Sequence, residues 1–580
     1  MIKNSFSFLG LFFVGFLNLV WCQEKEEDAL VTQQVTVIKS YNPSLSDVFQ
    51  IKTTPEIPDS IGVEKQKVSY SILSIPVVET FEPNKASPLE LIRTMPEKPY
   101  NSILGLGYGT KGQMFLDFST SITLDREQQV GLMVYHDGFR GNIKNTLVNS
   151  NQSHLFLGLQ HALKNNNFRG DSNLVYKRSG FNYFGFYDYA WDPLIISSIT
   201  PAINRNYITL NSQWQWYDVV LREIDFRTDL TSDNFSSSEQ KINIIAKTGI
   251  PVFDGEFALA AELGGVASSF KEEYFTKMPL SYQVGKAGLE IIWKQVENDL
   301  KIRIGGGAAY VVSDSLKGKS LQYFPRIELS YQPKNNKVFP FLEANGATKL
   351  ASYSSLSTQN PFLFPGINLQ PMWKKYNARI GARSSQANVL SFDFSLGYDE
   401  LENMPLFKRL PYDPFHKNAP SRFSNAFEIQ YANVIQYDFR AQLGFDFARE
   451  NHLGFEMQYF TYSSENQEIL WNIPQLKLNA NAHFNWSKLS FSFNAEMIGE
   501  RNAALWPIFN TLTLDPNRKS ETEQLPFFLQ STFLLNYKIK NPFDLFLKGR
   551  LSNSQSHGQW GYYPEPNYLF LAGLSYKFNQ

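Results

Sequence analysis

From Ser102 onward the chain repeats apolar and polar residues with a period of two. Tyr437, Phe439, Ala441, Leu443, Phe445 and Phe447 alternate with Asp438, Arg440, Gln442, Gly444 and Asp446. Leu390, Phe392, Phe394, Leu396 and Tyr398 alternate with Ser391, Asp393, Ser395, Gly397 and Asp399. Side chains point alternately to opposite faces of an extended strand, so each segment predicts a strand with one apolar and one polar face. Leu476–Trp486 and Leu489–Met497 keep this alternation on either side of Ser487-Lys488, which predicts a hairpin with aligned apolar faces. Ile208–Trp216, Leu300–Tyr310 and Ile327–Tyr331 repeat the theme. The last segment, Tyr568 to Phe578, carries Tyr568, Phe570, Ala572, Leu574, Tyr576 and Phe578 on one face.

The segments run about 9–13 residues, enough to cross a bilayer at a tilt and longer than a sandwich strand of about 5–6. Connections alternate in length. Short ones are expected near Leu124–Gln128, Pro333–Lys337, Glu450–His452 and Trp486–Lys488. Long ones are expected near Phe181–Arg205, Thr348–Pro371, Glu400–Arg422, Gly499–Leu525 and Ser552–Pro566. Short turns at one end and long loops at the other are the asymmetry of an outer-membrane barrel. The expectation is an all-β fold, a transmembrane antiparallel β-barrel of about 22 strands (range about 16–24) over residues 101–580. Tyr568, Phe570, Leu574, Tyr576 and Phe578 are then the closing strand, paired near Ile103–Gly109, and the signal that outer-membrane assembly reads.

Composition agrees. Aromatic residues make up 15% of 580, with 48 Phe and 29 Tyr, which suits lipid-facing strands and interfacial girdles. A net charge of −1 gives no electrostatic footprint for nucleic acid. Lys3 followed by the apolar run Phe6–Trp21 reads as a signal peptide over residues 1–22, cleaved after Cys22. Lipidation of Cys22 is the alternative, against which stands the bulk of Trp21 at a site that prefers a small residue. Cys22 is the only cysteine, so no disulfide is expected in the mature chain. Residues 23–100 are rich in Pro, Glu and Lys and lack sustained periodicity beyond Val31–Ile38 and Val68–Val78. They predict a short periplasmic extension, or equally a disordered linker; this segment or inward-folded loops are expected to occlude so wide a lumen, and Val31–Ile38 could instead be a docking strand for a lipoprotein or periplasmic partner.

Catalytic patterns are missing. The seven His form no His-Glu-x-x-His or His-x-x-x-His pair, and no phosphate-binding loop or nucleophile elbow occurs. The expectation is a non-enzyme without a cofactor or metal, whose principal partner is outer-membrane lipid. The chemistry lies on the polar strand faces. Arg303, Arg326, Arg379, Arg383, Asp393, Asp438, Arg440, Asp446, Lys477 and Glu496 are the lumen-facing candidates, expected to form a mixed-charge network that sets which solutes pass. Gly305-Gly306-Gly307 reads as a bend or bulge inside a strand. The aromatic run Phe181–Trp191 reads as a strand end with its girdle, the alternative being a loop that stacks on sugars or hydrophobic ligands.

The signal peptide, the segment Val35-Thr-Val-Ile-Lys-Ser-Tyr-Asn-Pro-Ser-Leu-Ser-Asp-Val-Phe-Gln-Ile51 and Tyr100-Asn-Ser-Ile-Leu-Gly-Leu-Gly-Tyr-Gly109 resemble outer-membrane proteins of Bacteroidota-type bacteria. These are the TonB-dependent-receptor-like barrels. The resemblance implies outer-membrane transport through a barrel of about 22 strands. Receptors of that family carry a plug domain and a short N-terminal box gripped by an energy transducer. Here about 78 residues separate Cys22 from the first strand, too few for such a plug, and Asp28-Ala-Leu-Val-Thr-Gln33 is a faint echo of the box. The expectation is therefore a passive or partner-gated conduit. The alternatives are an energised importer of a large ligand and a structural or assembly subunit of an outer-membrane complex.

Overall fold

The structure, a computed structural model, describes residues 100–579 except 144–145, 188–190, 218, 272, 274–278, 298, 315–317, 334–336, 385–388, 414–418, 448–449 and 507–519. The expected signal peptide and the extension over 23–100 thus lie outside the described residues.

The strands are β1 (Ser102–Gly109), β2 (Gln113–Thr123), β3 (Gln128–Phe139), β4 (Gln152–Lys164), β5 (Phe168–Asn182) and β6 (Ala202–Trp216). There follow β7 (Leu221–Asp233), β8 (Ser238–Val252), β9 (Gly255–Phe270), β10 (Leu280–Glu297), β11 (Leu300–Ser313) and β12 (Gly318–Tyr331). The third quarter holds β13 (Val338–Lys349), β14 (Met372–Ser384), β15 (Leu390–Arg409), β16 (Phe427–Asp446), β17 (His452–Ser464) and β18 (Leu476–Trp486). The last holds β19 (Leu489–Ile498), β20 (Arg501–Leu505), β21 (Glu521–Leu525), β22 (Phe528–Lys540), β23 (Phe543–Ser552) and β24 (Tyr568–Phe578). Two short helices, α1 (Pro193–Ser197) and α2 (Tyr353–Gln359), interrupt long loops.

Twenty-two strands form one antiparallel sheet, and β20 and β21 pair separately as a hairpin in the connection from β19 to β22. The sheet closes on itself. β24 pairs with β1 in continuous register from Ser102 opposite Phe578 to Gly109 opposite Leu571. The closed 22-stranded barrel expected from the alternation is what forms, closed by the strands expected to close it. Its edges vanish because an even number of antiparallel strands brings the first and last together in opposite directions. Side chains at the closure are small: a Cβ on Gly573 would overlap the Phe546 ring and the Leu106 carbonyl.

Apolar residues stand exposed on the outer face, among them Leu106, Tyr108, Leu396, Tyr437 and Leu574. The opposite face of the same strands carries the charges. Trp486 and Leu489 flank a two-residue turn at Ser487-Lys488, and Ser487 adopts φ 42° to make it. Turns of this short kind lie at the end where β1 begins and β24 finishes, and the long connections lie at the other, called here the loop end. Two expectations fail. Strand lengths exceed 13 residues in several places, reaching 20 in β15 and β16, which stand as a tall hairpin into the loops. Gly305-Gly306-Gly307 makes no bulge: β11 keeps unbroken register with β10 and β12. There the missing side chains make room for the Phe324 ring, which a Cβ on Gly307 would overlap.

Candidate functional site

Two features distinguish the molecule: a lattice of ion pairs on the inner face and a cap of loops over one end. The lattice follows from register. Arg303 lies directly opposite Glu328, and the two pair at 2.8 Å. Arg383 lies opposite Asp393 at 3.4 Å and also reaches Glu343 at 3.0 Å. Arg326 makes a fork to Glu290, with bonds of 2.7 and 2.8 Å. Arg379 reaches past β15 to Asp438 on β16 at 3.0 Å, and Arg440 meets the same carboxylate at 3.0 Å. That crossing passes over Gly397, where a side chain would overlap both the Asp438 carboxylate and the Arg379 guanidinium.

The remaining candidates have other neighbours. Asp446 pairs with His452 at 2.7 Å, Lys477 lies 5.9 Å from the centre of the Phe460 ring, and Glu496 stands opposite Gln530 in register. The half-exposed pairs hold little stability each, since water screens them. The Asp438 side chain is fully buried between two arginines, so its desolvation is offset only while both remain. Among the described residues no group of three His, Cys, Asp or Glu could hold a metal ion.

The cap was not legible in the alternation. Tyr183, Phe184, Phe362, Leu363, Trp560 and Tyr563 come from three loops and form one buried apolar cluster. Val266, Val284 and Val311, from β9, β10 and β11, join it, so the loops fold inward onto the wall. Phe362 and Tyr563 stack with centroids 3.5 Å apart. α2 is fastened by Glu239 of β8, whose carboxylate accepts from Tyr353 N at 2.6 Å and Ser354 N at 3.0 Å, satisfying first-turn donors. Phe181–Tyr187, the unbroken part of the aromatic run among the described residues, therefore does not form a girdle. Tyr183, Phe184, Phe186 and Tyr187 are buried in the cap, because apolar rings in a long loop gain more from packing together than from standing in water.

Three arginines tie the cap, each donating to backbone carbonyls. Arg205 on β6 donates to Pro361 O at 2.6 Å and Leu363 O at 3.0 Å, and its Nε to Tyr353 Oη at 2.9 Å. Arg501 on β20 donates to Gly558 O and Gln559 O, and burial lowers its pKa to about 10. Arg409, at the end of β15, donates to Ser424 O, to Gly561 O at 2.9 Å and to Gly185 O, from three different loops. Its guanidinium lies between the rings of Tyr187 and Tyr562, 4.1 and 4.6 Å from their centres. The loops bearing Gly185 and Ser424 are separated by ten of the 22 strands, β6 through β15, so Arg409 joins loops from nearly opposite walls. Inward-folded loops are one of the two expected means of closing the lumen; the signal for which loops take part is Phe362-Leu363-Phe364 and Trp560-Gly561-Tyr562-Tyr563, runs too apolar to lie in solvent.

No family model matches the chain, and no curated protein matches its sequence. Solved structures do match. The FrpB iron transporter from Neisseria meningitidis superposes with a TM-score of 0.59 at 9% identity, over 83% of each chain. This chain shares the fold of such barrels. The pyoverdine outer membrane receptor FpvA from Pseudomonas aeruginosa gives 0.58 at 9% identity, over 83% of this chain and 79% of that one. The siderophore receptor PirA from Acinetobacter baumannii gives 0.56 at 11%, over 82% and 80%.

The cap is pH-sensitive by construction. His557 Nδ1 accepts the Tyr562 backbone N–H at 3.0 Å, which requires an unprotonated nitrogen. Burial holds the His557 pKa below 6.5; Glu523 opposes the shift, and Arg409 and Arg501 add to it. A lowered pKa means that its contribution is full above 6.5 and is lost as pH falls through that value toward the depressed one. Half-buried Glu565 is raised above 4.5, chiefly by its desolvation, so its contribution runs the other way and grows on acidification. In a Glu565→Gln background, limited proteolysis within residues 553–567 is therefore expected to speed up from pH 7.5 to 5.5. Adding His557→Gln is expected to flatten that dependence.

Proposed function

We propose that this chain is an outer-membrane β-barrel of the TonB-dependent-receptor-like kind, working as a gated solute conduit whose gate is the loop cap. One observation carries the reading: loops from nearly opposite walls meet, through Arg409, over the interior of a closed 22-stranded barrel. The apolar outer face supports immersion in lipid, since a closed sheet satisfies every strand backbone group without water. The ion-paired inner face supports a wet interior. On this reading residues 1–22 direct export, residues 23–100 face the periplasm, and the turn end lies on the same side. Arg303, Arg326, Arg379, Arg383, Asp393, Asp438, Arg440, Asp446, Lys477 and Glu496 line the path. In planar bilayers the full chain is expected to be silent or nearly so, and to conduct once the cap is loosened. A full chain that already conducts as an open pore of this size would sink the gate.

A second reading, energised import of a large ligand, draws support from the fold shared with an iron transporter, a pyoverdine receptor and a siderophore receptor. It assigns residues 28–33 to an inner-membrane transducer. Its expected result is crosslinking of cysteines placed at 28–33 to that transducer in intact cells, lost when those residues are deleted.

A further inference from the structure

We propose that the inner wall at the closure of the barrel holds a binding site for an organic anion with a flat apolar body. The inference rests on reading the barrel as a solute conduit and names the solute class its wall would retain. A hollow of about 530 Å³ opens there, across β19, β22, β23, β24, β1, β2 and β3. It exists because the inward residues are small where the ends of the sheet meet: Gly105 on β1, Ser575 on β24, and Ser490 and Ser492 on β19. Its apolar part is a group of three rings. Phe115 meets Tyr135 edge to face at 5.6 Å and Phe546 at 5.4 Å. Such rings offer faces and edges to another flat apolar group.

Two lysines of the hollow, Lys538 and Lys548, are held more loosely than most charges of the lattice. Arg326–Glu290, Arg303–Glu328 and Arg379–Asp438 close at 2.7–3.0 Å. Lys548, by contrast, comes no closer than 3.5 Å to Asp137, and its ammonium lies 5.0 Å from the centre of the Phe115 ring. Lys538 makes no ion pair among the described residues, nor does Asp117. Asp544 is already held by Lys577 at 2.6 Å. Lys538 and Lys548 thus lie near Asp117 and Asp137 with no contact shorter than 3.5 Å, and the Phe115 ring face that would receive a cation is engaged by Lys548. A carboxylate on an apolar body satisfies the lysines while the body lies on the rings. Asn494, Thr532 and Asn536 supply hydrogen-bonding groups along its side.

The test uses the detergent-purified full chain and calorimetric titration with three probes of one shape: 2-naphthoate, 2-naphthylmethanol and 2-naphthylmethylammonium. The expected order places naphthoate tightest. Lys548→Gln is expected to weaken naphthoate about tenfold or more, as loss of a charge-assisted contact does, and to leave the alcohol unchanged. Lys538→Gln should weaken it further, and Phe546→Leu should weaken all three. Lys247→Gln, at a lysine of β8 already paired with Glu223 at 2.5 Å and Asp225 at 3.0 Å, should change none. Heat-modifiable mobility confirms that each variant folds. Equal binding of alcohol and carboxylate, tighter binding of the ammonium, no binding at all, or indifference to Lys548→Gln would each overturn the site. The conduit reading fails separately: persistent silence of the cap-loosened barrel in bilayers would remove it while leaving naphthoate binding intact.

Discussion

A chain lacking residues 568–580 should yield no heat-modifiable barrel, either refolded into detergent or assembled in cells. β24 is paired on both sides, to β1 from Ser102 to Gly109 and to β23 from Phe543 to Leu551. Removing it strips partners from both neighbours at once. The remaining ends cannot meet instead. β23 lies an even number of strands from β1 around the sheet and so runs parallel to it, and the short turns leave no slack to reverse one of them. In lipid each unpaired backbone group costs several kcal/mol, so two open edges exceed the whole stability of a domain, roughly 5–15 kcal/mol. A truncated chain that still ran as a folded barrel would show that another pairing closes the sheet. The two roles proposed for this strand separate in a milder variant. Tyr576 and Phe578 point outward and stack on each other at 5.5 Å. Tyr576→Ser with Phe578→Ser keeps every backbone pair, so it should refold in vitro while failing to assemble in cells.

The second large effect is expected at Arg409. Arg409→Ala should convert a silent barrel into a conducting one. The side chain is 1% exposed and has no carboxylate partner among the described residues, and its three acceptors belong to three loops. Truncation leaves these carbonyls buried without donors, at about 1–3 kcal/mol each, and removes the cation from between the Tyr187 and Tyr562 rings. The loss falls on the cap and spares the wall, because the lower strands share none of these contacts. Conductance events and faster proteolysis within residues 183–187 and 553–567 are expected together, with unchanged heat-modifiable mobility. Arg409→Lys should rescue only in part, since one ammonium cannot reach three carbonyls in the plane that a guanidinium spans. Silence of both variants, with the loops as protected as before, would mean that Arg409 is not what holds the cap.

How much was legible varies with the kind of contact. The alternation at 390–398, 437–447 and 476–497 was enough for strand type, face and hairpin register, because each depends on neighbours along the chain. The count of 22 and the pairing of Tyr568–Phe578 with Ser102–Gly109 followed, since turn asymmetry and antiparallel closure leave few options. Which acid meets which base was less accessible. Arg303 and Glu328 meet through neighbouring strands, but Arg379 and Asp438 meet only because Gly397 lets side chains cross an intervening one.

A closed antiparallel barrel with an apolar outer and a charged inner face follows from local pattern, since a two-residue period and the turn lengths dictate it. What covers the barrel depends instead on long-range packing. Tyr183-Phe184, Phe362–Phe364 and the pair Trp560 and Tyr563 lie far apart in the chain, and no local period reveals that they share one core. Arg409 acquires its role only when loops from nearly opposite walls bring their carbonyls to it. That meeting depends on the closure of the sheet, which places the loop from β23 to β24 within reach of the loop from β5 to β6.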